Sequence, residues 1–230
     1  MSRILIVMSA ASGWERTDGS VYPTGYWAEE VAAPHERFVE AGHTVDFASP
    51  GGVLQPIDQH SADPEVAGAD CARYVAHAEK VLGGYGPLLK LDEVGVDAYA
   101  AVVLPGGHGP VVDLHQDAAL GRLLTAADAA GKLIGAVCHG PAALLSAVDA
   151  EGAWLFAGRR MAAFTDEEER LFGTAEGAPW LLAARLRERG AVHAGGPAYE
   201  QFNVRDRNLF TGQNPASSAR MAEDMIAALG

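Results

Sequence analysis

The chain has 230 residues, 49% of them hydrophobic and 20% charged, which is ample material for one large core. A formal net charge of −13 excludes the basic surface that nucleic acid or an anionic membrane would require, so neither is an expected partner. Two cysteines make no disulfide framework, the apolar run at 4–8 is too short for a secretory segment, and no run of about 18 apolar residues is present, so a soluble cytoplasmic protein is expected.

Residues 4–8, ILIVM, predict a first strand buried on both faces, as in a parallel sheet covered by helices. The loop at 10–23 leaves the carboxyl end of that strand and carries Trp14 and Tyr22. Loops this long often wall a site, and the two aromatics are candidate pocket residues; pinning the loop to the surface would use them equally well. A helix is expected over 24–41, with Thr24 as N-cap and Gly42 as terminator. Its period puts Trp27, Val31, Pro34 and Phe38 on one face and Glu29, Glu36 and Glu40 on the solvent face. Glu30 falls at the margin, and Pro34 predicts a kink near it. A carboxyl half-buried there would have a raised pKa and serve as an acid, while periodicity alone equally allows a surface glutamate. A second strand is expected at 43–49.

No clear strand appears over 53–96, where a helical stretch at 72–82 is broken by a Gly/Pro-rich run at 83–87. This segment reads as an insertion or cap over the sheet edge within a single domain of 1–230, rather than as a second domain. Asp58, His60 and Ser61 in it are placed to face a pocket, though single polar residues in a loop usually face water, and His43, His60 and His77 form no metal-ligand pattern. The next buried strand, 99–104, runs into Pro105-Gly106-Gly107-His108-Gly109-Pro110. That turn has neither the Lys-Ser/Thr of a phosphate loop nor the spacing of a dinucleotide fingerprint. It is read as a source of backbone N–H donors for an oxyanion, since glycine lets the backbone approach closely.

After a helix at 116–130 comes the most informative stretch, KLIGAVCHGPAALL at 132–145. Residues 133–137 read as a central strand and 140–145 as a helix entered through Gly and Pro, leaving Cys138 and His139 on the turn between them. Such a turn thrusts a side chain out at the carboxyl end of the sheet, where open α/β folds place their sites. A buried structural cysteine is the plain alternative, but it leaves His139 unexplained. The helix entry predicts a lowered Cys138 thiol pKa, and Cys71, without that setting, should be inert. Further on, a short strand is expected at 160–164, followed by the acids of Thr165-Asp166-Glu167-Glu168-Glu169, one of them a candidate to orient a histidine. A helix at 180–189, a strand at 208–212 and a last helix opened by Asn214 and Pro215 complete an alternating α/β pattern, a parallel sheet with helices on both faces.

The motifs TGYWAEE at 24–30, LPGGHG at 104–109, AVCHGPAAL at 136–144, FTDEEE at 164–169 and TGQNPASSA at 211–219 carry a resemblance. Together they resemble the ThiJ/PfpI superfamily, of the class I glutamine-amidotransferase-like fold, and most of all its heat-shock-protein-31-like branch with glutathione-independent glyoxalases. The resemblance implies a flavodoxin-like parallel-sheet sandwich with a cysteine nucleophile elbow. It implies Cys138 as nucleophile, His139 as its neighbour, Glu30 rather than Glu29 as the acid at the cysteine, and Glu169 as the third carboxylate. It also implies oxyanion donors in the backbone of Gly107 and His139, no metal or other cofactor, a small 2-oxoaldehyde substrate such as methylglyoxal, and a homodimer. The other readings are a cysteine-dependent amidase or peptidase, and a holding chaperone that exposes an apolar patch.

Overall fold

An apolar run needs cover on both sides, and Arg3–Val7 (β1) has it: the strand sits in the middle of the main sheet with Ile4 to Val7 fully buried. The structure, a computed structural model, describes residues 1–84 and 88–230. In chain order β1 is followed by a small hairpin of Gly13–Glu15 (β2) and Val21–Pro23 (β3), then helix Ala28–Glu40 (α1) and strand Thr44–Ser49 (β4). Next come helices Pro64–Ala67 (α2) and Cys71–Gly84 (α3), strand Leu89–Lys90 (β5), strand Ala101–Leu104 (β6), helix Ala118–Ala129 (α4) and strand Leu133–Val137 (β7). The last third holds Arg160–Met161 (β8), Asp166–Phe172 (α5), Leu182–Glu188 (α6), Val192–His193 (β9), Asn203–Asp206 (β10), Leu209–Gly212 (β11) and Ser218–Leu229 (α7).

The seven-stranded sheet has the order β10-β11-β7-β6-β1-β4-β5, parallel throughout except for the β10–β11 pair. Its five central strands follow the doubly wound order in which sites form at the carboxyl ends, beside the point where the winding reverses. Side chains alternate between two cores. Ile4, Ile6 and Val103 meet α1, α3 and α7 through Val31, Phe38, Leu82 and Met225. Leu5, Val7 and Val102 meet α4 and α6 through Leu120, Leu124 and Leu186 on the other face.

Several elements differ from the sequence expectation. The first helix begins at Ala28, not at Thr24, because residues 24–26 are extended: Tyr26 pairs with Ile57 in a parallel bridge and accepts the Asp58 N–H at 2.9 Å. Thr24 is buried with no partner for its hydroxyl, so it caps nothing. The helix runs on through Pro34 and ends before Gly42, whose φ of +82° fits a terminator. The 53–96 segment does hold a strand, the two-residue β5, which forms the sheet edge, while α3 packs on α1. Asp58 and Ser61 in it are buried rather than facing water. Of the expected break at 83–87, Tyr85, Gly86 and Pro87 lie outside the described residues. The strand expected at 160–164 is only β8, paired with β9 in a separate sheet, and the hairpin strand β10 had no sequence signal of its own. The segment after Cys138 is a 3-10 helix, Gly140–Ser146, and α7 is preceded by a 3-10 turn at Pro215–Ser217.

Gly140 fixes how closely that 3-10 helix meets β6: a Cβ on it would stand 2.0 Å from the Leu104 carbonyl oxygen. Gly140→Ala is therefore expected to cost about 1–3 kcal/mol, because backbone rather than a flexible side chain must give way. Gly83 in α3 has open space where a methyl group would stand and an ordinary φ, so Gly83→Ala should gain about 0.5–1 kcal/mol from helix propensity. Urea unfolding of the two variants beside the parent checks both signs.

Candidate active site

β7 ends at Val137, and Cys138 turns the chain with φ +60°, a left-handed conformation that a side-chain-bearing residue adopts only when its surroundings hold it there. The hold is visible on both sides. The Cys138 N–H donates to the Gly212 carbonyl at 3.0 Å, and the Cys138 carbonyl accepts the Phe164 N–H at 2.9 Å. Its thiol is thus presented at the carboxyl end of the sheet, buried, beside the turn that follows β6.

Glu30, in the first turn of α1, is fully buried and points at the same place. Its Oε2 accepts the Gly106 N–H at 2.6 Å, its side chain faces the Cys138 thiol, and its Oε1 is buried without a hydrogen-bond partner among the described residues. Burial pushes this carboxyl up to about 8, against the pull of those contacts, so at neutral pH it carries its proton. Burial also pushes the Cys138 thiol well up, and the Glu30 charge adds to it; only the His139 backbone N–H works the other way. The lowered thiol pKa expected from the sequence is therefore not what this site provides. The reason is that the sulfur is buried, the following helix is a short 3-10 segment, and among the described residues no Lys or Arg acts on the thiol. A proton acceptor has to take its place.

His139 Nδ1 lies 3.3 Å from Cys138 Sγ, and its Nε2 lies 2.8 Å from Glu169 Oε1. Burial alone would raise Glu169, but the charge and hydrogen bonds of His139 and His108 outweigh it and hold the carboxylate ionised well below the usual range. Its second oxygen accepts the Thr174 hydroxyl. The crowd of acids at 166–169 sorts cleanly. Asp166 pairs with Arg187, and Glu167 is exposed. Glu168 closes a capping box with Thr165 and takes bonds from Tyr199 N–H, Gln213 and Asn214. Only Glu169 reaches a histidine at the cysteine. The TGQNP motif thus anchors α5 through Glu168, and Asn214 commits its amide there instead of capping the last helix.

His108 is the residue that sequence reading passed over. It is buried, its ring lies 4.2 Å from that of His139, and its Nε2 is 3.6 Å from Glu169 Oε2. Burial, then the His139 charge, lower its pKa, against the opposing pull of Glu169. Its position inside LPGGHG was the available signal. Trp14 and Tyr22 do not line the cavity at Cys138: Trp14 stacks on His108 at 5.0 Å and Tyr22 meets it edge-on at 5.5 Å, so the loop buttresses His108 from behind. Among the described residues His108, His139 and Glu169 are the one cluster with metal-ligand geometry, their donor atoms lying within 4.8 Å of one another. Here Glu169 is engaged by His139 and Thr174, the arrangement of a proton relay.

The cavity onto which Cys138, His139 and His108 open, with Glu30 and Glu169 buried behind its wall, measures about 640 Å³. Gly107, His108, Cys138 and His139 line it together with Trp27, Phe164, Phe172 and Tyr199. Gly107 has φ +77°, and a Cβ there would stand 2.1 Å from the Gly25 carbonyl oxygen, so only glycine brings this backbone to the cavity wall. Glu29 also lines the cavity, half-buried, and is not on a solvent face as its helical period indicated. His60 is exposed, as expected, and lines the cavity too, hydrogen-bonded to Asp58 at 3.0 Å.

The DJ-1/PfpI family pattern matches residues 22–228. The chain belongs to that family. The DJ-1/PfpI member named Glyoxalase 3 from Candida albicans is 27% identical over 236 residues, covering 99% of this chain and 98% of that protein. The glutathione-independent glyoxalase HSP31 of Saccharomyces cerevisiae is 27% identical over 239 residues, covering 99% and 98%. The crystal structure of glyoxalase III from Candida albicans superposes with a TM-score of 0.82 at 25% identity, over 99% of this chain and 97% of that one. The heat-shock-protein-31-like branch indicated by the sequence motifs is therefore the right one within this DJ-1/PfpI family.

A buried carboxyl raised from 4.5 to about 8 stays protonated in the folded state while its unfolded counterpart ionises. Between those values the folded state binds more protons, so Glu30 makes stability fall as pH rises from about 5 to 8. Glu30→Gln should remove this contribution: the stability difference between variant and parent moves in the variant's favour from pH 5 to pH 8. Thermal or urea unfolding across that range checks it, and parallel curves would show that Glu30 is not held protonated.

Proposed function

We propose that the protein is a glutathione-independent glyoxalase, converting a 2-oxoaldehyde such as methylglyoxal to the 2-hydroxy acid, D-lactate, with Cys138 as nucleophile. The observation that carries this reading is the convergence on one buried thiol of two differently protonated groups: a proton-holding Glu30 and a His139 backed by ionised Glu169. The names borne by its near-full-length relatives support the same chemistry.

His139 Nδ1 takes the thiol proton, and the thiolate adds to the aldehyde carbon. Glu30 gives its proton to the new alkoxide, which lies toward the backbone of Gly107 and His139. The product of this step is a neutral hemithioacetal. Glu30, now a carboxylate with the basicity of a group near 8, removes the hydrogen from that carbon and returns it to the neighbouring one. The hydroxyl proton passes to the second oxygen, leaving a thioester of the 2-hydroxy acid. Water, giving one proton to the Glu30 carboxylate as it attacks, cleaves the thioester, the sulfur recovers its proton from His139, and both acid groups are restored: the balance is one aldehyde plus one water giving one hydroxy acid. The enzyme's own thiol replaces glutathione. Assembly as a homodimer and a place in a reducing compartment belong to the same proposal.

The His139–Glu169 pair also gives this site the proton relay of a cysteine amidase, so hydrolysis of amides is the second reading. Purified protein without glutathione should form lactate, mainly D by chiral assay, and Cys138→Ala should abolish it. Glu30→Gln should reduce kcat by at least about 100-fold while His139 still activates the thiol. Cysteine-dependent release of amines from amide substrates, with no lactate, would transfer the assignment to the amidase. The pH profile is a separate check: kcat/KM should fall as pH rises through about 8, where Glu30 loses the proton it donates. A rate still climbing at pH 9.5 would remove Glu30 from that step.

A further inference from the structure

The cavity is far larger than methylglyoxal needs. At about 640 Å³ it lies within the range of roughly 300–1,000 Å³ typical of sites that take drug-sized ligands. Beyond the reacting groups it is lined by four aromatic side chains, Trp27 against Phe172 with ring centroids 6.3 Å apart and Phe164 against Tyr199 at 6.4 Å. Leu171, Tyr199 and Val66, three of the large apolar side chains left in solvent at 62%, 47% and 45% exposure, line the same cavity. Scattered exposed apolar residues need no explanation, but three of them on one cavity that also holds a nucleophile do.

Charge gives the second half of the argument. Among the described residues no lysine or arginine lines the cavity, while Glu29 and Glu65 do. A phosphorylated or carboxylated aldehyde would enter without a countercharge, against Glu65, a Glu29 that burial raises to about 7 and leaves partly ionised at neutral pH, and the charge of −13 on the whole chain. A neutral apolar aldehyde meets no such cost. Its product is an anion, however, because hydrolysis of the thioester creates a carboxylate inside these walls. The same acids that exclude anionic substrates therefore favour departure of the product.

Resting on the glyoxalase reading, we infer that the preferred substrates are uncharged 2-oxoaldehydes with a bulky aromatic or branched apolar substituent, which the Trp27–Phe164–Phe172 walls bind and the Glu29–Glu65 lining keeps free of anionic competitors.

The test compares phenylglyoxal, methylglyoxal and 4-carboxyphenylglyoxal, each rate being divided by that of the same aldehyde with a free alkyl thiol. Phenylglyoxal should exceed methylglyoxal in kcat/KM by about tenfold or more, as an apolar group filling an apolar wall does. The carboxylated analogue should fall about tenfold below phenylglyoxal at low salt, and less at high salt. Phe172→Ala should shrink the phenyl-over-methyl ratio. Glu65→Lys, at an exposed position where folding is not at stake, should narrow the gap between phenylglyoxal and its carboxylated analogue about threefold or more. Turnover of methylglyoxal as fast as phenylglyoxal, or equal use of the carboxylated analogue, overturns the inference and leaves the glyoxalase reading standing. Absence of turnover with all three removes the glyoxalase reading, and the cavity is then judged by binding alone. Cys138→Ala titrated calorimetrically should bind acetophenone at least about tenfold more tightly than acetone or 4-acetylbenzoate, and equal affinities overturn the inference.

Discussion

The left-handed backbone at Cys138 is the constraint on which the rest of this site depends. A non-glycine residue in that region costs of order 1–3 kcal/mol and persists only where neighbours over-determine it. Here the neighbours are three separate parts of the chain. Gly212 at the end of β11 accepts one backbone bond, Phe164 ahead of α5 supplies another, and Gly140 lets the following turn press against Leu104 of β6. Because those parts each carry further groups of the site, pinning the backbone also gathers them. The turn after β6 brings Gly106, Gly107 and His108; the segment after Phe164 brings Glu169; the run after Gly212 brings Gln213 and Asn214 to lock Glu168.

Proton placement follows from burial rather than from charge. Cys138, Glu30 and His108 are all buried, and each is pushed toward its neutral form. Glu169 alone is held ionised, by the two histidines that face it. The result is one anion at the far end of the relay, with Cys138 and Glu30 favoured in their protonated forms. A resting thiolate would be favoured by a cation or a long helix dipole, and among the described residues neither stands at the sulfur. The chemistry proposed above therefore uses a thiol that His139 deprotonates as the aldehyde arrives, which also spares an unprotected thiolate from oxidants.

Behind the reacting groups lies a supporting layer of rings and hydrogen bonds. Trp14 stacks on His108, Tyr22 closes on its edge, and Glu168 collects bonds from Thr165, Tyr199, Gln213 and Asn214. These contacts fix ring planes and the start of α5 to the tolerance that a relay of 2.8–3.3 Å bonds demands. They account for parts of two motifs: LPGGHG combines a backbone donor to Glu30 with the buttressed His108, and TGQNP serves Glu168 while its Asn214 and Pro215 also line the cavity.

The sequence by itself determined what depends on local pattern. Apolar runs at 4–8, 99–104 and 133–137 with helical periods between them specify a covered parallel sheet, and strand, cysteine, histidine, glycine and proline in that order specify the turn at Cys138. The family motifs added Glu30 and Glu169, which lie 108 residues upstream and 31 residues downstream of Cys138 by their numbers and meet it only in the fold. What only the tertiary structure decided depends on packing. Period alone placed Glu29 in solvent, yet α2 and its neighbouring loop build a cavity wall around it. The loop at 10–23 was visible, but not that its aromatics back His108 instead of lining the pocket. The pKa of Cys138 was misread for the same reason: a helix start nearby is a local feature, whereas desolvation by burial, with the Glu30 charge added, is the sum of contacts from the whole chain.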